Sequence, residues 1–180
     1  MKPFQLIARF VQASFQEEAA YRSNFLINLL TSLLNLATGI LGIIVLFSQI
    51  ETIQGWNLSA TLALLGVYLT VSAMRSLFIG PSLESLAGMD GEVWTGAFDF
   101  TMLRPVDTQF LASLRKWRMF AVFDLLLGIG VLVAAVLQLG MSLSLWQILS
   151  FLLTLLSGTS ILYAILLIFA ALVFWSPGVM

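Results

Sequence analysis

Apolar and polar positions along this chain are sorted into blocks the length of whole helices. No charged residue occurs from Ser23 to Ile50. A second apolar run covers Leu58 to Ile79, interrupted by Arg75 near its end. After a polar stretch, Leu125 to Met180 is again free of charge. About 20 apolar residues, at ~1.5 Å each, cross the hydrocarbon core of a bilayer. The first and second runs therefore make one span each, and the last run is the right length for two. Gly140-Met-Ser-Leu-Ser144 supplies the turn between those two. Trp146 and Trp175 mark the ends of the final span as interfacial aromatics, and Pro177 follows it. The pattern predicts an all-α integral membrane protein, one helical domain with spans at about 25–48, 58–80, 119–140 and 146–175.

Two shorter segments complete the pattern. In residues 3–20, Phe4, Ile7, Val11 and Phe15 recur at three- and four-residue spacing, with Arg9, Gln12, Gln16 and Glu17 mostly elsewhere. An apolar stripe with a polar back predicts an interfacial helix lying in the headgroup plane. Residues 81–118 are the long polar break. Gly80-Pro81 is expected to end span two, since proline lacks the amide donor. Within the break, Glu92 to Leu103 reads as a short helix starting near Asp90 or Gly91. Glu92, Thr95, Gly96 and Asp99 then share one face, and Trp94, Phe98 and Met102 form a second stripe. Pro105 stops that helix. Asp107 caps the next one, which leads through Arg115-Lys-Trp-Arg118 into span three.

Composition agrees with the bilayer as solvent. The chain is 60% hydrophobic and 9% charged, against about a quarter charged in an average soluble domain. A net charge of −1 argues against a nucleic-acid partner. With no cysteine and no histidine, Cys/His metal sites and nucleophilic dyads built on either residue are excluded. No cofactor is expected, and an intramembrane enzyme is a poor fit.

Charge placement predicts orientation. Lys2, Arg9 and Arg22 precede span one, while Arg75, Arg104, Arg115, Lys116 and Arg118 surround the central break. The loops after spans one and three carry no basic residue. By the positive-inside rule, the amino terminus and the break are cytoplasmic, in a cell membrane. Arg75 and Asp124 lie near the same end of spans two and three, so they are candidates for an intramembrane ion pair. Asn24, Asn28, Asn35 and Thr38 are uncharged polar groups within span one. They suit hydrogen bonds to neighbouring helices, with the lining of a substrate path as the alternative.

The central break resembles the cytoplasmic loop of ABC-2-type transporter permeases. The residues that carry the likeness are Glu92, Gly96, Phe98-Asp99, Leu103 and Arg104-Pro105-Val106. Tyr21-Arg22-Ser-Asn-Phe25 before span one and Gly55-Trp56 after it are similar as well, and the likeness covers roughly residues 10–175. The chain departs from the pattern at Val93-Trp94-Thr95, where many relatives are more charged. The resemblance implies a permease subunit of an ATP-driven exporter. Such a subunit pairs with a second permease, as a homo- or heterodimer, and with cytoplasmic ABC ATPase subunits. Glu92, Trp94, Gly96, Phe98, Asp99, Leu103, Arg104 and Pro105 would then form the coupling helix that docks on the ATPase. ATP hydrolysis would belong to that partner, and the chain has no Gly-rich loop ending in Gly-Lys-Ser/Thr. Leu156-Ser-Gly-Thr-Ser160 looks superficially like an ATPase signature, but it lies in an apolar span and reads as small residues for helix packing. Permeases of this kind carry more spans, so the sequence is expected to lack C-terminal ones. The alternative reading is a four-helix membrane scaffold or assembly factor without transport activity.

Overall fold

The computed structural model describes residues 3–20, 22–87, 90–140 and 143–175. Met141 and Ser142 of the expected turn, Lys2, Tyr21 and Pro177 lie outside them. The described residues form helices and no named strand. Only an isolated bridge between Ile53 and Trp56 closes the loop after span one. Among the described residues, four helices are long and apolar enough to cross a membrane: Ser23–Gln49, Leu58–Glu84, Ala121–Gln138 and Leu145–Trp175. The protein is an all-α, multi-pass membrane protein.

In chain order the elements are α1 (Pro3–Ala20), α2 (Arg22–Gln49), α3 (Leu58–Met74), a π-helical turn (Arg75–Ile79), α4 (Gly80–Glu84), α5 (Ala97–Met102), α6 (Thr108–Leu114), α7 (Ala121–Gln138) and α8 (Leu145–Trp175). They belong to two compact units. One unit holds the chain up to Ala20, Arg75–Met119 and the chain from Leu155 on; the other holds Tyr21–Met74 and Phe120–Thr154.

The unit built on α2, α3 and α7 is packed through small residues. Gly66, Thr70 and Ala73 form the buried face of α3. Ala121, Gly128 and Ala135 form that of α7, at seven-residue spacing. A Cβ on Gly66 would stand 2.6 Å from the backbone nitrogen of Leu132, and one on Gly128 would stand 2.8 Å from that of Thr70. Each glycine thus admits the other helix's backbone. In lipid, where apolar burial gives no net drive between helices, such close approach supplies the packing energy. Asn57 caps α3 by accepting from Ala60 N–H at 2.8 Å, and Phe25 of α2 packs on Phe120 and Phe123, with centroids 5.2 and 5.3 Å away.

The other unit has its core where Ile79, Leu83, Leu86, Phe98 and Ala170 meet, with Tyr163, Leu166 and Leu167 of α8 packed around them. Span two does not end at Gly80-Pro81. The helix runs on to Glu84 by way of the π turn, with Pro81 in the first turn of α4. A proline there removes the N–H that would have bonded to the Leu77 carbonyl one turn back. That carbonyl instead accepts the backbone N–H of Arg118 at 3.0 Å. A proline is tolerated because its orphaned acceptor has a partner elsewhere in the fold.

Candidate functional site

The polar break is held by one carboxylate. Gly91 comes so close to the end of α4 that a Cβ on it would stand 2.4 Å from the Ala87 carbonyl oxygen, a position open only to glycine. This approach lets Glu92 N–H reach the Ser85 carbonyl at 3.0 Å. The Glu92 side chain turns inward, with 13% of its surface exposed, and forms ion pairs with Arg115 and, at 3.0 Å, with Lys116. The second arm of the Arg115 guanidinium donates to Thr101 Oγ1 at 3.0 Å. Thr101 is itself buried. Glu92's own carbonyl accepts from Phe98 N–H at 2.9 Å. One acid therefore joins the end of α4, the turns over 91–96, α5 and the segment after α6.

Burial by itself would raise the Glu92 pKa. The hydrogen bonds from Lys116 and Arg115, and the charges of both, outweigh that and hold the carboxyl below the ordinary glutamate range. The side chain is therefore ionised at neutral pH.

The same segment is sewn to the end of span two. Lys116 N–H donates to Ser82 Oγ at 2.8 Å, and that hydroxyl donates back to the Lys116 carbonyl at 3.0 Å. With Arg118 on Leu77, this makes three backbone-directed bonds. The Trp117 ring lies 5.8 Å from that of Phe78, and its backbone N–H donates to Ser14 Oγ of α1 at 3.1 Å. Ser113 Oγ and Tyr163 Oη of α8 share a hydrogen bond of 2.8 Å. Asp107 caps α6 by accepting from Phe110 N–H at 2.8 Å, as the sequence pattern predicts.

The helix expected over Glu92–Leu103 is shorter. Gly96 takes φ +73°, a left-handed conformation that breaks a right-handed helix. Residues 91–96 are turns, and α5 spans only Ala97–Met102, with Gly96 rather than Asp90 or Gly91 at its N-cap. The break also separates the two expected faces. Glu92 points inward while Asp99 is exposed. Phe98 leaves its stripe and is buried against Phe174, with ring centroids 5.0 Å apart. Trp94, Phe100, Met102 and Leu103 stand outward, Leu103 at 81% exposure, beside exposed Asp99, Arg104 and Pro105. Sequence reasoning did not single out Arg115, Lys116, Thr101 or Phe100 as parts of this site. The basic run was legible as a marker of orientation, but nothing in its spacing identifies the acid it meets.

Arg75 forms an ion pair with Glu84, reaching across the π turn and over Gly80. Asp124 stands in the first turn of α7, in the other unit, so a pair with Arg75 stays a proposal.

Over residues 33–179 the chain matches the family described as ABC-2 family transporter protein. Neither the curated proteins nor the solved structures give a match.

Proposed function

The chain belongs to the ABC-2 transporter family, and on that premise we propose that it is the permease subunit of an ATP-driven exporter whose central segment passes the motion of a cytoplasmic ATPase to spans two and three. The observation that carries this reading is the Glu92 node. A segment meant to transmit a push must be stiff, tied to the helices it moves, and bare on the side it is pushed from. Glu92, Arg115 and Lys116 lock the turns to the residues that open span three, while Ser82 and Leu77 tie those residues to the end of span two. Trp94, Asp99, Phe100, Leu103, Arg104 and Pro105 are left on the bare side.

Within the docking set this divides the roles. Glu92 and Phe98 are positioning residues that hold the segment from inside, and Gly96 provides the left-handed turn between them. Trp94, Asp99, Leu103, Arg104 and Pro105 meet the ATPase. A wide aromatic, an exposed leucine and flanking charges of both signs suit a groove with an apolar floor and polar rim. ATP chemistry belongs to that partner. A second permease subunit completes the transport unit in the cell membrane, with the amino terminus and the central segment cytoplasmic; the placement of all basic residues supports this side. Phe4 and Phe15 of α1 are exposed while Ser14 is buried against Trp117, which suits a helix lying between protein and headgroups.

The test is co-expression with the ATPase subunit and reconstitution in vesicles. Trp94→Ala with Leu103→Asp should weaken co-purification of the ATPase by about a hundredfold, the loss of two well-packed anchors. Glu92→Gln should keep assembly but lower transport per ATP hydrolysed. Full assembly and full transport in the Trp94/Leu103 double variant would sink the coupling role. A chain that binds no ATPase and moves nothing would favour the scaffold reading.

A further inference from the structure

Span four meets the central segment by packing, not by chain continuity. Spans two and three run directly into that segment, at the π turn and at Arg118, so the backbone itself carries motion into them. α8 is joined to it only by way of span three and the loop at the far end of that span. Its grip is confined to one half. Thr159, Tyr163, Leu166, Ala170 and Val173 follow one another at four- and three-residue spacing, and all are buried or half-buried. They form one face of the helix. The same register continued towards the N-terminus of α8 falls on Leu152 and Ile148, and every residue from Leu145 to Thr154 is exposed.

The covered half is held at both of its ends. Near Trp175, the Phe174 ring stands edge-on to Phe98 of α5, with centroids 5.0 Å apart, and Ala170 joins Ile79 and Leu83 in the core. Further along, Tyr163 Oη shares its 2.8 Å hydrogen bond with Ser113 Oγ of α6, a residue only 5% exposed. Tyr163 and Phe174 are about 16 Å apart along the axis. A helix held at one point can pivot about it. Held at two points so far apart, it must follow its holder in tilt as well as in position. α5 itself lies between two surfaces. Asp99, Phe100 and Leu103 face outward, while Phe98 touches α8. Thr101, bound to Arg115, keeps α5 from rolling away when it is pushed.

We propose that span four is driven by the central segment, with Tyr163 and Phe174 as the positioning residues through which it follows. The inference rests on the coupling role proposed above and extends it from two spans moved by chain continuity to a third moved by contact. Leu145 lies about 27 Å beyond Tyr163, so a tilt imposed at the two contacts is enlarged at the uncovered end. In lipid an apolar half-helix can stand bare without cost, since the tails are as apolar as leucine. A span that stood still to brace the segment would be packed along its whole length.

Because the chain has no cysteine, two spin labels can be placed without background. Leu64→Cys in α3 and Leu149→Cys in α8, both exposed positions, report span four against span two. With the ATPase bound in vesicles, a non-hydrolysable ATP analogue should shift their separation by at least about 2 Å, the scale of helix shifts in switching proteins. Tyr163→Phe combined with Phe174→Ala should abolish the shift and lower transport per ATP hydrolysed by about tenfold, one hydrogen bond and one ring contact being lost. ATPase co-purification should be unchanged. Phe174→Leu, which keeps an apolar contact, should restore most of the shift when Tyr163 is intact. No shift in the parent chain while it transports would make span four a fixed brace and overturn the proposal. A shift that survives in the double variant would overturn it too, and so would loss of ATPase binding there, which would mark the pair as merely structural. The coupling role itself stands or falls on the Trp94/Leu103 variant, whereas these outcomes are read on chains that still bind the ATPase.

Discussion

Glu92 carries a pH signature of its own ion pairs. Its folded pKa lies below the ordinary glutamate value of 4.5, because two cations favour the charged form more than burial disfavours it. A lowered folded pKa contributes stability that is complete above the unfolded value and is lost as pH falls through the folded one. Wild type should therefore exceed Glu92→Gln in thermal stability at neutral pH, by about 1 kcal/mol given the partial exposure of the cluster. The gap should close as the pH is lowered below 4.5. A gap that persists unchanged into acid would mean that the charge on Glu92 contributes nothing. Arg75 poses a second question at this scale. Its guanidinium is paired with Glu84, both half exposed, so that pair should couple by only about 0.5 kcal/mol in a double-mutant cycle. A larger coupling between Arg75 and Asp124 in the parallel cycle would make Asp124 the stronger partner in the membrane.

At the level of elements, the join between span two and span three is made by a proline. Pro81 leaves the Leu77 carbonyl without its helical donor, and Arg118 supplies one. The π turn at Arg75–Ile79 widens the helix just before it, a feature frequent at functional sites. Pro81→Ala restores a competing N–H within the helix. Hydrogen exchange at the Arg118 amide should then quicken by about tenfold, the loss of roughly one hydrogen bond. Ser82 and Lys116 still hold the neighbouring residues, so the effect should stay local. Unaltered exchange would show that Arg118 does not depend on the vacated carbonyl.

For the molecule as a whole, the membrane sidedness decides whether the central segment can meet an ATPase at all. Cysteines at Asn57 and Asp90, both exposed, test it directly in this cysteine-free chain. An impermeant thiol reagent added outside intact cells should label position 57 and leave 90 untouched until the membrane is opened. The reverse pattern would put the segment on the wrong side, and the coupling proposal would fall with it.

The spans, the all-α class and the cap at Asp107 were legible in the sequence because each depends on local order. A charge-free run of sufficient length has one low-energy solution in lipid, and an Asx residue before a helix needs only the next turn. The family was legible too, from Gly96, Asp99, Leu103 and Pro105 in the central segment. What the chain alone did not disclose was direction. Periodicity says which residues share a face, not what that face meets. A continuous helix through Gly96 would have put Glu92 and Asp99 together. The left-handed turn there, and cations twenty-odd residues later in the chain, sent one inward and left the other outside. The same holds for span four, whose apolar run is plain in the sequence. Only the fold decided that one half of it is gripped and the other left bare, because partners distant in sequence are chosen by packing and polar satisfaction in three dimensions.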